Sequence, residues 1–354
     1  MSDPGALLRR SDRPKVVITD YDFGDVDIER EILEGAGAQV VALQSKQESD
    51  LFSAARDCAA MINQYARIGG ETIARMQNCE VIARYGVGVD IVDVEAATSR
   101  GILVTNVRDY CTEEVADHAI SLWLALARKL PDYDRATHQG IWRWQSGKPI
   151  HRLRDRTMGI VSFGKIGQAI AMRAKPFGVR VIAFDPYLPA DVAASHGAEL
   201  VSKAELLRRS DYILMQAPMT PETRHFLSDA EFAAMKPGAI LVNTGRGPTV
   251  DNKALYRALT EGHIAAAGLD DPEEEPAKRA KWSPDNNPIF TLPNVIVTPH
   301  AAYYSEESIK TARVTAATQV AKVLTRQQPD YPVNAEALVL SEQHRKENDA
   351  ESIQ

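Results

Sequence analysis

The chain has 354 residues, 44% of them hydrophobic and 25% charged, which is ordinary for a globular protein and long enough for two hydrophobic cores. Its formal net charge of −7 argues against a nucleic-acid partner, for which a basic stripe is expected. Three irregularly spaced cysteines, no apolar stretch of membrane-spanning length and no signal-peptide pattern together predict a cytoplasmic protein without a disulfide framework, a metal site or a membrane partner.

Short apolar runs alternate with helical patterns along the first 111 residues. The five runs begin near Lys15, Gln39, Cys58, Val81 and Ile102. Apolar strands that alternate with helices form parallel sheets covered by helices on both faces. This part of the chain is therefore predicted to be an α/β domain.

A long helix is predicted to follow, with Thr112 as its N-cap and with Glu113 and Glu114 in the first turn, where negative charge suits the helix dipole. A second αβ series comes after it. Its six strands are predicted over residues 158–163, 180–185, 212–217, 239–244, 265–269 and 295–298. A helical pattern over 306–324 closes the fold, and the charged segment 339–354 lacks periodicity, which predicts a flexible tail.

A dinucleotide-binding fingerprint follows the first strand of the second series. The segment Ser162-Phe-Gly-Lys-Ile-Gly matches the pattern Gly-x-Gly-x-x-Gly, with its first glycine replaced by Ser162. Gly164 would let the backbone approach a pyrophosphate, and Gly167 would let helix and strand pack closely. The N-terminus of the following helix, at Lys165 and Ile166, would then hold the pyrophosphate.

The next predicted strand ends in Asp185, where an acid is expected to bond the ribose hydroxyls of a dinucleotide. A carboxylate at this position repels a 2′-phosphate, so the predicted cofactor is NAD rather than NADP. The alternative is that Asp185 only opens the turn at Pro186.

A cation, an acid and an imidazole each follow an apolar run that is typical of a β-strand. They are Arg246, Glu275 and His300. A fixed cation can hold a substrate carboxylate and polarise a ketone, an imidazole can transfer the hydroxyl proton, and an acid can orient the imidazole. Reversible hydride transfer to a 2-oxo acid needs these groups. Spacing alone does not choose among Glu273, Glu274 and Glu275. The surrounding strings are Asn243-Thr-Gly-Arg-Gly, Asp270-Asp-Pro-Glu-Glu-Glu-Pro and Thr298-Pro-His-Ala-Ala.

On these strings the chain resembles the D-isomer-specific 2-hydroxyacid dehydrogenases over roughly 15–333. Within that family it is similar to the branch of C-terminal-binding-protein corepressors and phosphoglycerate dehydrogenases. The segments on which this resemblance rests are Phe184-Asp-Pro-Tyr-Leu, Arg173-Ala-Lys-Pro-Phe-Gly and Thr298-Pro-His-Ala-Ala-Tyr-Tyr-Ser-Glu. The resemblance implies two doubly wound parallel-sheet domains of the α/β class. A Rossmann NAD domain (112–304) would be inserted into a flavodoxin-like substrate domain formed by 1–111 and the C-terminal helix (305–338).

The resemblance also implies the role of each member of the catalytic set. Arg246 would bind the substrate carboxylate and keto oxygen, and His300 would be the general acid and base. Glu275, the acid directly before the proline, would pair with His300 and favour its charged form. Glu273 and Glu274 are then expected to form a solvated acidic turn.

Substrate and cofactor contacts follow from the same resemblance. The backbone N–H groups of Val87 and Gly88 would receive the substrate carboxylate, Arg84 would reach the substrate, and Tyr303 would pack on its side chain. Arg84 as a structural ion-pair partner and Tyr303 as core filling are the alternatives. The residues expected to line the cofactor are Pro218, Thr223, Thr244 and Asp270.

The predicted function is an NAD-dependent dehydrogenase that interconverts a small 2-oxo acid and the (R)-2-hydroxy acid, working as a homodimer with 132–150 as a candidate contact. One alternative is an NAD(H)-gated protein-binding module with little turnover, like the corepressors, and another is a sensor whose cofactor binding is weakened by Ser162. The chain departs from the family pattern at Asp271-Pro272, where Val-Phe is usual, and in a basic loop over 277–288.

Overall fold

The computed structural model describes residues 13–273 and 283–337. Backbone contacts divide the chain into two compact units, one over Met1–Tyr110 and Glu306–Gln354 and one over Cys111–Ser305. None of the helices in the described ranges is long and apolar enough to cross a membrane. The predicted tail over 339–354 lies outside the described residues.

The first unit is built on a parallel sheet of five strands. They are β1 (Lys15–Ile18), β2 (Gln39–Ala42), β3 (Ala60–Asn63), β4 (Val81–Arg84) and β5 (Leu103–Thr105). Their spatial order is β2-β1-β3-β4-β5, with every neighbouring pair parallel. This is the flavodoxin-like, doubly wound order, in which ligands bind outside the carboxyl ends of the strands.

The described residues of this unit form five helices: α1 (Asp27–Gly35), α2 (Glu48–Ala55), α3 (Gly70–Arg75), α4 (Val94–Ser99) and, from the later part of the chain, α12 (Glu306–Leu324). A buried ion pair joins α12 to α1, because Arg313 lies 2.8 Å from the fully buried carboxylate of Glu29. Hydrogen bonds from Arg313 to Glu29, and then to Asp25, outweigh its desolvation and raise the pKa of its guanidinium. The pair fixes where the returning helix packs.

The second unit is built on a parallel sheet of seven strands. They are β6 (Thr157–Val161), β7 (Arg180–Phe184), β8 (Ala198–Leu200), β9 (Tyr212–Met215), β10 (Ala239–Asn243), β11 (Ile264–Leu269) and β12 (Val295–Val297). Their spatial order is β12-β11-β10-β9-β6-β7-β8, again parallel throughout. This is the Rossmann order, and the chain reverses direction across the sheet between β6 and β9. The predicted α/β class with two doubly wound sheets is confirmed.

The helices of the second unit are α5 (Thr112–Ala127), α6 (Leu130–His138), α7 (Lys165–Ala174), α8 (Ala190–Ser195), α9 (Lys203–Arg209), α10 (Asp229–Ala234) and α11 (Asn252–Thr260). α5 begins with Thr112, so its N-cap is Cys111, without a side-chain cap, and the predicted threonine cap is wrong. β8 was not predicted, because it is a three-residue edge strand with an exposed glutamate at its centre.

Candidate active site

Six of the predicted functional residues that the structure describes in the second unit lie just after its strands. Because the carboxyl ends of parallel strands meet at one edge of a sheet, these residues share that edge. The strands and the residues that follow them are β6 with Ser162, β7 with Asp185, β10 with Thr244 and Arg246, β11 with Asp270, and β12 with His300.

The fingerprint turn has the expected shape although its first glycine is replaced. Ser162 has a φ of +68°, in the left-handed region that favours glycine, and its N–H donates to the carbonyl of Phe184 at 2.9 Å. A non-glycine residue in this conformation carries strain on the order of 1–3 kcal/mol. The replacement therefore keeps the turn at a cost in stability.

The other two fingerprint glycines differ in what surrounds them. A Cβ at Gly167 would lie 2.7 Å from the carbonyl oxygen of Ser162 and 3.3 Å from Ile160, so close packing of α7 requires glycine there. A Cβ at Gly164, the N-cap of α7, would have no heavy atom within 4 Å. Packing of the protein itself therefore leaves open the space in front of the helix N-terminus.

Asp185 is held at the end of β7 by two backbone groups. One carboxylate oxygen accepts the N–H of Phe163 at 2.9 Å, and the other accepts the N–H of Tyr187 at 3.0 Å. The carboxylate thus opens the turn at Pro186 and also ties β7 to the fingerprint. A carboxylate has about four lone-pair positions, so acceptor capacity for hydroxyl groups remains.

Side chains join the loops after β9 and β10, where three cofactor-lining residues are expected. The hydroxyl of Thr223 donates to the carbonyl of Pro218 at 2.6 Å. The amide of Gln216 contacts the buried hydroxyl of Thr244 at 2.8 Å. These bonds set the positions of Pro218, Thr223 and Thr244 at the carboxyl edge of the sheet.

The turn that carries Arg246 is fixed by its own neighbours. The fully buried side chain of Asn243 accepts the N–H of Gly245 at 3.0 Å and donates to the carbonyl of Arg246 at 3.1 Å. The hydroxyl of Thr249 donates to the same carbonyl at 2.6 Å. The backbone of Arg246 is therefore locked in place. The sequence pattern alone does not indicate this role of Asn243.

Glu273, the first residue of the acidic segment 273–275, has a different environment from the one expected. Glu273 is not part of a solvated turn: its side chain is 16% exposed and one oxygen lies 2.7 Å from Nε2 of His225. The prediction was wrong because the partner lies 48 positions away, beyond local sequence patterns. Glu274 and Glu275, and with them the predicted catalytic acid, lie outside the described residues.

Asp270 organises the turn that carries His300. Its carboxylate, 2% exposed, accepts the hydroxyl of Thr298 at 2.6 Å and the N–H groups of Ala301 and Ala302 at 2.8 and 2.9 Å. Its carbonyl accepts the N–H of His300 at 2.8 Å. Expected from the family pattern to line the cofactor, Asp270 also shapes the backbone around the imidazole.

The ring of His300 has an aromatic neighbour, and the backbone of this residue is strained. Its φ is +52°, and its ring packs edge-on against Tyr303 at 6.0 Å between centroids. Tyr303 therefore lies beside the predicted acid–base group. A left-handed histidine is uncommon and is found where surrounding bonds determine the conformation, here the bonds to Asp270.

His118 reaches the same turn from α5. Its Nε2 lies 2.9 Å from the hydroxyl of Thr298 and 3.7 Å from the carboxylate of Asp270. The hydroxyl of Thr298 donates its one proton to Asp270, so Nε2 of His118 must be the donor to Thr298. His118 thus supports the His300 turn indirectly.

In the first unit, two carbonyls of the predicted substrate loop accept hydrogen bonds from protein donors. Gly86 accepts the N–H of Val107 at 3.0 Å, and Val87 accepts the side-chain amide of Asn106 at 2.8 Å. In a planar trans peptide the N–H points opposite to the carbonyl. The N–H groups of Val87 and Gly88 therefore point away from these donors, and Val87 is 46% exposed.

Arg84 braces this loop through backbone carbonyls. Its guanidinium donates to Gly88 at 2.8 Å, to Asn63 at 3.4 Å and, over a shorter distance, to Gln64. The loop over 64–66 is itself held by the buried carboxylate of Asp20, which accepts three of its N–H groups at 2.7–3.1 Å. Arg84 thus has a structural role through its contacts with these carbonyls.

The described part of the chain brings together no group of three or more His, Cys, Asp or Glu side chains that could hold a metal ion.

Comparison with known proteins identifies the family. The model of the D-isomer specific 2-hydroxyacid dehydrogenase NAD binding domain matches residues 120–302. The chain belongs to this family.

The relatives of the chain in this family are named for different substrates. The chain is 40% identical over 322 residues to the D-3-phosphoglycerate dehydrogenase of Methanocaldococcus jannaschii, covering 90% of this chain and 59% of that protein. It is 42% identical over 257 residues to the glyoxylate reductase of Thermococcus gammatolerans, covering 71% and 75%. The chain thus spans about three fifths of the first relative and three quarters of the second.

Solved structures of the family have the same fold. D-lactate dehydrogenase from Aquifex aeolicus, complexed with NAD and lactic acid, has a TM-score of 0.82 at 28% identity, covering 90% of this chain and 99% of that chain. The predictions of an NAD-dependent oxidoreductase of 2-hydroxy acids and of kinship with phosphoglycerate dehydrogenases are confirmed at the level of the family. Likeness to the corepressors stays a prediction.

Proposed function

We propose that this dehydrogenase interconverts a small 2-oxo acid and the (R)-2-hydroxy acid, using Arg246 and His300. The supporting observation is that both residues follow strands of one sheet, on turns held rigid by Asn243 and Asp270. Their strands, β10 and β12, are separated by β11 alone, so they lie roughly 10 Å apart. Side chains from both ends can therefore reach one small substrate.

The fingerprint region fits NAD on observations of the protein itself. The N-terminus of α7 presents backbone N–H groups to open space at Gly164, where an added Cβ meets no atom. Such a helix end binds phosphate oxygens. Asp185, anchored on two backbone N–H groups, would accept the ribose hydroxyls. Lys165, Ile166 and Gly167 would supply N–H groups to the pyrophosphate. When bound, the nicotinamide supplies or accepts the hydride.

The residues of the chain would bind the substrate and move its proton. Arg246 would hold the substrate carboxylate and stabilise negative charge that develops on the keto oxygen. His300, as imidazolium, would donate a proton to that oxygen during reduction and take it back during oxidation. In the first unit, Val87 and Gly88 are proposed donors to a carboxylate, because their N–H groups point away from the donors Val107 and Asn106.

Glu275 is proposed as the acid that orients His300, on the family pattern alone. The matched comparison is Glu275→Gln against Glu274→Gln, since both remove one charge from the same segment. The proposal expects kcat to fall and its pH profile to change only for Glu275→Gln. Equal behaviour of the two variants would contradict this assignment.

The substrate is proposed to be small, because glyoxylate reductases are among the relatives of which the chain covers about three quarters. The test is NADH oxidation with glyoxylate, hydroxypyruvate, phosphohydroxypyruvate and aromatic 2-oxo acids, with NADPH in parallel. The proposal expects brisk NADH-dependent turnover of the small acids. Tight NADH binding without turnover of any acid would favour the protein-binding alternative.

A homodimer in the cytoplasm is proposed as the working form. None of the α6 residues is buried, and the connector after it exposes Trp142 and Trp144, which are 88% and 65% accessible. Contiguous exposed apolar surface is typical of interaction sites, and these two indoles lie only two positions apart in the chain. Light scattering should give a dimer for the wild type and a monomer for the double variant Trp142→Ser with Trp144→Ser. Three free cysteines, all buried, agree with a reducing compartment.

A further inference from the structure

Glu273 and His225 form a hydrogen-bonded pair at the edge of the proposed active site. One carboxylate oxygen lies 2.7 Å from Nε2 of His225, and Arg224 lies 3.7 Å from the same oxygen. The other oxygen accepts the N–H of Asn252, the first residue of α11, at 3.3 Å. The side chain of Asn252 donates to the carbonyl of Glu273 at 2.9 Å. Glu273 is thus fixed by four groups.

Both members of the pair touch the turn that carries Arg246. A Cβ at Gly247 would lie 2.4 Å from the carbonyl carbon of Pro272 and 2.5 Å from the backbone nitrogen of Glu273, so the two backbones are in direct contact. From the other side, the N–H of His225 donates to the carbonyl of Pro248 at 2.8 Å. These contacts form a closed ring that runs through Gly247, Glu273, His225 and Pro248, directly after Arg246.

His225 lies in the loop between β9 and α10, in which Thr223 is bonded to Pro218. Its φ of +49° lies in the left-handed region, so its backbone conformation is held by these surroundings. Three loops at the carboxyl edge of the sheet, those after β9, β10 and β11, are thus tied together at one imidazole–carboxylate contact.

We infer that the Glu273–His225 pair is a positioning element, which holds the Arg246 turn and the start of the acidic segment in fixed register. The inference rests on the proposed function, because its consequence is measured on turnover. Neither residue is assigned contact with the substrate. A misplacement of about 1 Å at a catalytic group can cost roughly 100-fold in rate, so loosening this ring should lower kcat substantially.

The test uses Glu273→Ala, His225→Ala, the double variant and the conservative Glu273→Gln. Each single alanine variant should lower kcat about 10–100-fold, with the dissociation constant for NADH changed by less than about threefold. Residues that act as a unit are non-additive, so the double variant should lose no more than the worse single one. Glu273→Gln keeps an acceptor for His225 and should recover most of the activity.

A matched control separates positioning from general loss of stability. Glu231 is also a partly exposed carboxylate, with an accessible fraction of 22%, and it pairs with Lys203 at 2.8 Å. It also accepts a backbone N–H at a helix start, that of Ser228 at 3.1 Å before α10. Glu231→Ala should lower the melting temperature as Glu273→Ala does, yet leave kcat within about twofold, since it removes the same kind of contact elsewhere.

Several outcomes would overturn the inference. One is a kcat equal to that of the wild type in Glu273→Ala, assayed well below the melting temperature of the variant. Another is a loss of kcat in the double variant that equals the sum of the two single losses. An equal loss of kcat in Glu231→Ala would show that lowered stability, and not positioning, causes the loss. If Arg246→Ala abolishes turnover while Glu273→Ala does not, only this inference fails. If the wild type turns over no 2-oxo acid, the proposed function fails and the inference falls with it.

Discussion

The two fingerprint glycines should respond oppositely to one added methyl group. In Gly167→Ala the new Cβ would lie 2.7 Å from a backbone carbonyl oxygen, closer than Cβ atoms approach, so α7 or the turn must shift. Overpacking of this kind costs about 1–3 kcal/mol, which lowers the melting temperature of a unit of this size by roughly 2–12 °C. In Gly164→Ala the methyl group meets nothing within 4 Å, and φ is an ordinary −69°.

For Gly164→Ala, loss of helix-capping preference and the gain from a stiffer unfolded chain are each about 0.5–1 kcal/mol and offset one another. Its melting temperature should therefore stay near that of the wild type, whereas NADH binding should weaken at least about tenfold, because the methyl group occupies the approach of the pyrophosphate. The assays are thermal unfolding without cofactor and NADH fluorescence titration. Wild-type NADH affinity in Gly164→Ala would refute the proposed position of the pyrophosphate.

Three further predictions concern charge. Asp185→Asn keeps an acceptor for the backbone but removes the charge that repels a 2′-phosphate, so the preference for NADH over NADPH in kcat/KM should fall about tenfold or more; an unchanged ratio would place the ribose elsewhere. Asp270→Asn weakens three charge-assisted hydrogen bonds, and urea unfolding should show a loss of about 2–4 kcal/mol. Glu29→Ala leaves Arg313 buried without its main partner, which should cost about 3–5 kcal/mol of unfolding free energy; a loss under 1 kcal/mol would mean that water reaches the guanidinium.

The fold was predictable because its pattern is local and repeated. Each buried parallel strand is a short apolar run, and helices between such runs allow few topologies. β8 escaped because Ala198–Leu200 is short and has an exposed centre at Glu199. The sequence strings also placed Ser162, Arg246 and His300 after strands, and the structure has them after β6, β10 and β12.

The supports of the site were not predictable, because they join positions far apart in the chain. Asp270 binds the N–H groups of Ala301 and Ala302, more than thirty positions on, and Glu273 pairs with His225. Nothing in the local pattern around an aspartate or a glutamate tells which distant donor it will meet. The strained φ of His300 follows from such contacts and is equally hidden from the sequence.

The proposed roles of Arg246 and His300 are tested by the turnover of NADH with glyoxylate or another accepted 2-oxo acid, compared among the wild type, Arg246→Ala and His300→Ala. NADH binding to each protein is titrated in parallel. We expect steady turnover by the wild type and losses of about 10²–10⁴-fold in kcat/KM for each variant, with cofactor binding kept. Full turnover by either variant with NADH bound would contradict it.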